Sequence, residues 1–227
     1  MLPALLLAFA LFGSTAVPPD WKKARDAQDR PALDKIAADA EAVANSKQTD
    51  PNAQYQAAIA HFYRAEVAME FKDKNQSRAA AEAGIRAAER AVALNPKSSE
   101  FHRILGTLCG QVIPANILAG MKYGKCALEE VNKAIELDPA STDAYVSRGV
   151  GNYYLPESFG GGVELAIKDF EKAIQLNPNN AEAHMWLGVA LRKANRNADA
   201  RKALAKSISL NPSRLWAKEQ LEKTPPQ

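Results

Sequence analysis

The tripeptide Leu94-Asn95-Pro96 returns as Leu137-Asp138-Pro139, Leu176-Asn177-Pro178 and Leu210-Asn211-Pro212, each time closing an alanine-bearing amphipathic stretch. Recurrence of this kind constrains the fold more than any local propensity, because a helical hairpin with a single apolar face buries that face only by stacking on its neighbours. The last two prolines stand 34 residues apart, the length of one helix-turn-helix unit. The two earlier intervals are 43 and 39 residues, so nine and five extra residues are expected between the helices of those units, the nine lengthening the first helix or its exit. The architecture these intervals predict is all-α, a solenoid of antiparallel helix pairs that shares one continuous core.

The clearest unit runs from Asn180 to Pro212. Trp186, Leu187, Gly188 and Leu191 fall at helical spacing on its first helix, and Ala200, Leu204, Ile208 and Leu210 do so on its second. Glycine inside a helix costs roughly 1 kcal/mol against alanine, so Gly188 is expected where the paired helix comes close, near Ala200. The preceding unit carries Tyr145 and Gly149, then Ala166, Phe170, Ala173 and Pro178; the one before it carries His102, Leu105 and Gly106, then Ala127, Val131, Ala134 and Pro139. These residues resemble the tetratricopeptide repeat family, whose unit has a Leu-Gly pair in its first helix and a spaced alanine, aromatic, alanine and proline afterwards. The resemblance covers about Tyr55 to Pro212 and implies a right-handed superhelix. Arg148 departs from the pattern where a leucine usually precedes the glycine, and either snorkels along the interface or marks a slightly rotated helix.

The solenoid is expected over 51–212, in about four units, of which the first is degenerate and pairs Ile59, Ala60 and Tyr63 with Gly84, Ala88, Ala91 and Pro96. Residues 17–50 are expected to form leading caps, a short helix from Trp21 capped by Asp20 and another from Pro31 to about Asn45. Leu215, Trp216 and Leu221 predict a closing helix within 213–223, and 224–227 reads as a disordered tail. At the other end, Leu2 to Phe12 is an apolar run within the ~7–15 residues of a signal-peptide core, followed by Ser14-Thr15-Ala16, and the polar, proline-bearing Val17-Pro18-Pro19-Asp20 stops it short of a membrane span. Residues 1–16 are therefore expected to be a signal peptide cleaved after Ala16, although no Lys or Arg precedes the run, and the mature chain to be periplasmic or secreted without a transmembrane span. Export makes a disulfide between Cys109 and Cys126 one of two readings; the other is a buried small hydrophobe and an inert thiol.

Charge and chemistry narrow the function classes. The net charge of +3 comes from interspersed acids and bases rather than a basic block, which leaves no case for nucleic acid. The histidines His61, His102 and His184 lie on comparable helices of different units, none with a metal partner at ligand spacing, so packing is expected and catalysis, metal and cofactor are not. Gly160-Gly161-Gly162 reads either as a permissive turn or as amides aimed at an anion, and the turn is favoured because the lysine of a phosphate loop is missing.

In the tetratricopeptide family, ligands lie along the concave surface of the first helices. Carried over by helical period, the resemblance points to Arg103, Thr107, Val146, Val150, Tyr153, Met185, Val189 and Arg192 as partner-binding candidates, with Tyr154, Phe159, Gly160 and Gly161 in the adjoining loop. Valine and methionine with arginine suit a protein or peptide partner with acidic groups; inter-unit core is the competing role for Val146, Val150 and Val189. The polar clamp that chaperone adaptors of the family use is absent, since Ser147, Glu182 and Trp186 stand in its place. The signal peptide and the Leu155–Gly161 insertion are similar to exported bacterial members, including the periplasmic subunit of tripartite ATP-independent transporters, which is lipid-anchored through a cysteine this chain lacks. The expected function is thus a non-catalytic periplasmic or secreted scaffold; the alternatives are a transporter-associated periplasmic subunit and a carrier whose aromatic loops close over a small apolar ligand.

Overall fold

A computed structural model describes residues 16–113 and 117–226, so the apolar segment 2–12, Ser14, Thr15 and the centre of the first insertion lie outside the described residues. Eleven α-helices and no strand occur among the described residues: α1 (Pro19–Asp26), α2 (Arg30–Ser46), α3 (Pro51–Glu70), α4 (Lys74–Leu94), α5 (Ser99–Val112), α6 (Ile117–Leu137), α7 (Thr142–Tyr154), α8 (Val163–Leu176), α9 (Ala181–Lys193), α10 (Asn197–Leu210) and α11 (Leu215–Glu222). They pack as antiparallel pairs α3/α4, α5/α6, α7/α8 and α9/α10, with α3, α5, α7 and α9 side by side as the inner layer of an α-solenoid.

The recurring tripeptide works as a turn between units. After each proline, two residues on, stands the N-cap of the next helix: Ser98, Ser141 and Asn180 accept from the amides of Phe101, Ala144 and Ala183, which satisfies donors a helix start leaves unpaired. The Asn or Asp before each proline folds its side chain back to accept from the amide of Lys97, Ala140 or Asn179. Four residues into the new helix, His102 and His184 donate from Nε2 to the carbonyls of Pro96 and Pro178, both at 2.9 Å. The histidines therefore brace the turns.

Between the layers the small residues allow close approach. A Cβ at Gly188 would stand 2.9 Å from the carbonyl oxygen of Ala200, and one at Gly149 would stand 2.5 Å from the Phe170 ring, as the sequence led one to expect for Gly188. At Arg148 the structure adds a partner that the repeat pattern does not supply: the guanidinium grips the buried Asp169 of α8 through Nε and Nη2, and Asn152 donates to the same carboxylate.

Three expectations need correction. The nine-residue insertion lengthens the second helix of its unit, since α6 has 21 residues against 14 in α8 and α10, while α5 keeps 14. Asp20 does not cap α1, which opens one residue earlier on Pro19 with Pro18 as its N-cap. The tail does not fray at Thr224, which is buried because Arg201 donates to its carbonyl at 2.7 Å and Arg192 reaches its hydroxyl at 3.3 Å.

The layer spacing at α7/α8 makes opposite predictions for two glycines of one helix. Gly149→Ala drives a methyl into the Phe170 ring and is expected to cost about 1–3 kcal/mol. Gly151→Ala meets nothing within 4 Å and should stabilise by about 0.5–1 kcal/mol. Urea unfolding of the two variants, read by circular dichroism, checks the pair.

Candidate functional site

The first helices do line one face, but the chain itself uses most of the side chains expected there. Arg103 is buried and donates from Nε to Glu100 at 2.7 Å, while Tyr55 donates to the other oxygen of that carboxylate at 2.7 Å. Burial would raise the Glu100 carboxyl, yet the Arg103 guanidinium beside it holds it below the usual range. Thr107 donates to the Arg103 carbonyl and lies 2.9 Å from the Ser147 hydroxyl of the next unit. Met185 and Val189 are buried core, and Val146, Val150 and Tyr153 pack against the core of the α7–α10 half. Arg192 donates to the carbonyl and the side-chain amide oxygen of Gln220, fastening α11. A stripe chosen by helical period alone thus proves to be largely inter-unit mortar, and Met185 in particular offers no surface to a partner.

What the sequence left unseen is that the array bends far enough for its ends to meet. Asn211, after α10, donates to Asp26 of α1 at 2.8 Å across 185 residues. Around this contact lies a buried set of charges. Arg25 reaches Glu182 of α9 at 2.8 Å and Glu66 of α3 at 3.6 Å, and its guanidinium lies over the Tyr63 ring. Arg214, 1 % exposed, donates to Glu70 at 3.2 Å and to Glu66 at 3.3 Å, and passes 3.5 Å from Glu182. Four carboxylates thus face two guanidiniums. Burial pushes the Glu66 carboxyl up to about 7 and raises Glu70 as well, whereas Arg25 and Arg214 outweigh burial at Glu182 and hold it below its ordinary value.

A signal for this cluster stands in the sequence. The position two residues past the closing proline is Ser98, Ser141 and Asn180 in three units and Arg214 in the fourth, where no side chain caps the helix. An arginine in a capping position has another use, and here it closes the array.

The inserted segments lie at the opposite ends of the inner helices from these turns. Leu155 to Gly162 makes a 3-10 turn over Glu157–Phe159, and the amides of Gly160, Gly161 and Gly162 donate to the carbonyls of Glu157, Pro156 and Asn152. Those amides are therefore occupied, and the turn reading holds over the anion reading. Tyr153 and Tyr154 stack edge-on with each other and with Trp186, while Phe159 stands 75 % exposed, so the aromatic loop does not close over a cavity. Because α6 begins where α7 ends, Leu118 and Met121, at 70 % and 80 % exposure, share this edge with Tyr154 and Phe159. Cys109 and Cys126 are bonded just inside it, tying α5 to α6.

With this geometry established, the comparisons with known proteins place the chain. The profile of the family described as Regulator of microtubule dynamics protein 1-3 matches residues 22–157, more than half of the chain. The chain belongs to that family. A tetratricopeptide repeat profile matches residues 160–214, so the two together run from within α1 through all four units and stop just before α11. Among solved structures, the thermophilic tetratricopeptide protein TTC0263 of Thermus thermophilus is similar over 89 % of this chain and 98 % of its own, at 15 % identity and a TM-score of 0.63. The HusA haemophore of Porphyromonas gingivalis is similar over 78 % of this chain and 94 % of its own, at 19 % identity and a TM-score of 0.58. At these identities the likeness is one of fold. No curated protein matches the chain. No described helix is long and apolar enough to cross a membrane.

The raised Glu66 fixes the sign of a pH effect. A folded carboxyl with a pKa of about 7 holds a proton that the unfolded chain sheds near 4.5, so its contribution is present below pH 4.5 and lost as pH rises through 7. Buried His61, lowered from 6.5 by burial, acts in the opposite sense below pH 6.5. The difference between the wild type and Glu66→Gln isolates the first effect: on passing from pH 6 to pH 8.5, thermal scans should show the wild type losing more stability than the variant.

Proposed function

We propose that this protein is a non-catalytic, exported scaffold that holds a protein partner along its insertion edge. The observation that carries the reading is the set of large apolar side chains left outside the core there: Leu118, Met121 and Phe159, each at least 70 % exposed. Large apolar side chains left in water on one edge mark a surface that is covered in use. Insertions on one edge of a repeat array are a common place for binding, and tetratricopeptide arrays generally serve as interaction scaffolds rather than as enzymes. Lys122 and Lys125, exposed on the same face of α6, favour a partner segment that mixes apolar and acidic residues. The Cys109–Cys126 bond supports the export reading, because disulfides persist in oxidising compartments and are reduced in the cytosol. It also pins the middle of α6 to the last turn of α5, a fixed base from which the start of α6 projects.

The test is capture of a protein from an envelope extract of the source organism by the mature chain from Val17, followed by titration of the captured partner. The double variant Met121→Ser, Phe159→Ser alters only exposed side chains and should leave thermal stability unchanged. It is expected to weaken the complex at least tenfold, the scale of losing hot-spot residues. Undiminished affinity in the folded double variant removes the edge from the account.

A further inference from the structure

The charged cluster that closes the array has a property that a purely structural joint does not need. Viewed from the array, Glu66, Glu70 and Glu182 with Arg214 form a pocket of three carboxylates against one guanidinium. Such a pocket requires a cation. The cation is Arg25, 4 % exposed, seated over Tyr63 between Glu66 and Glu182. A buried arginine in an aromatic and acidic pocket is the anchor chemistry of a bound peptide.

The element that delivers it is poorly fixed. α1 is eight residues long, well below the ~12–15 at which an isolated helix becomes even marginal, and it has no side-chain N-cap. Its fully buried residues are Ala24, Arg25 and Asp26, with Trp21 only partly covered, so little apolar area holds it. The link to α2 is Ala27-Gln28-Asp29, with Gln28 in the left-handed region at φ 55°. The fit is also electrostatically imperfect. Asp26 adds a fourth carboxylate, and Arg25 Nε, Asp26 Oδ1, Glu66 Oε2 and Arg214 Nε are buried without a hydrogen bond of good geometry among the described residues. Charges in contact but incompletely hydrogen-bonded recover little of their desolvation cost.

We infer that α1 is an exchangeable internal occupant of this pocket, and that the pocket's external ligand is a helical segment of a partner protein presenting one arginine, as Arg25 does, without the acidic residue that follows it here. This site is distinct from the insertion edge and stands or falls separately from it. In the free protein α1 keeps the array closed; a partner segment that replaces it removes one carboxylate from the cluster and leaves α1 free. Gln28 donates to Glu70 at 2.9 Å, so departure of α1 also releases the hinge from the pocket wall.

The experiment uses the mature chain with a protease site inserted in the Ala27–Asp29 link, cut so that α1 is retained but no longer covalently held. The probe is a fluorescent peptide of residues 17–28, read by anisotropy. The cut chain should take up the peptide at least tenfold more tightly than the uncut chain, in which the tethered α1 competes for the pocket. An Arg25→Ala peptide should bind at least tenfold more weakly. An Asp26→Asn peptide, which still accepts from Asn211 but lacks the charge, should bind several-fold more tightly. Equal binding of the Arg25→Ala peptide, or no uptake by a cut chain that keeps its helicity, overturns the inference. Should cutting unfold the array, hydrogen exchange on the intact chain decides. Amides of α1 that exchange at least tenfold faster than those of α3, and faster still with millimolar Asp26→Asn peptide, support the exchange; α1 amides that exchange only with global unfolding refute it.

Discussion

Arg214 stands where the other units place a small capping residue, and its guanidinium lies buried against Glu66 and Glu70 of the first unit and beside Glu182 of the last. A solenoid is ordinarily held by neighbour contacts alone, so its curvature is the sum of many small rotations with nothing to fix the total. Here the buried guanidinium of Arg214, with that of Arg25 reaching Glu182 from α1, spans the ends and sets that sum. The curvature of the inner layer, the burial of α1 and the loss of the concave face as open surface all follow from the same contact. Removing one partner of such a cluster leaves buried charge uncompensated, a larger disturbance than losing any one apolar contact in an alanine-rich core.

Much of the fold was legible because it is written locally and repeatedly. The Leu-Asn-Pro turn, the cap two residues later and the glycine facing an aromatic or leucine across the layer each involve residues within one unit. The departures were less legible. Arg148 looked like a defect in the repeat, and its partner Asp169 lies 21 residues on, where no periodic argument connects them. The closing cluster draws on positions 25, 26, 66, 70, 182 and 214, so no window of sequence contains it. Its one local trace was the arginine in a capping position, and a capping argument was needed to see it.

The candidate stripe illustrates a limit of transferring a family's concave surface by helical period. Period identifies a face of a helix, but whether that face meets a ligand or the next unit depends on the tightness of the coil. In this tightly closed array Met185 and Val189 fall into the core, while Arg103 and Thr107 become links between units. The proposed partner surface accordingly lies at the ends of the helices, where the insertions are. There the Cys109–Cys126 bond holds the first of them to the array.

The contact between Asn211 and Asp26 brings the beginning and the end of the helical array to one place. Connectivity and shape are thereby uncoupled. A linker joining the end of α11 to the start of α1, with a new opening cut in the exposed Leu155–Gly160 segment, would leave the stacking order of the helices unchanged, so a circular permutant of this array should trace the same ring from a different starting point.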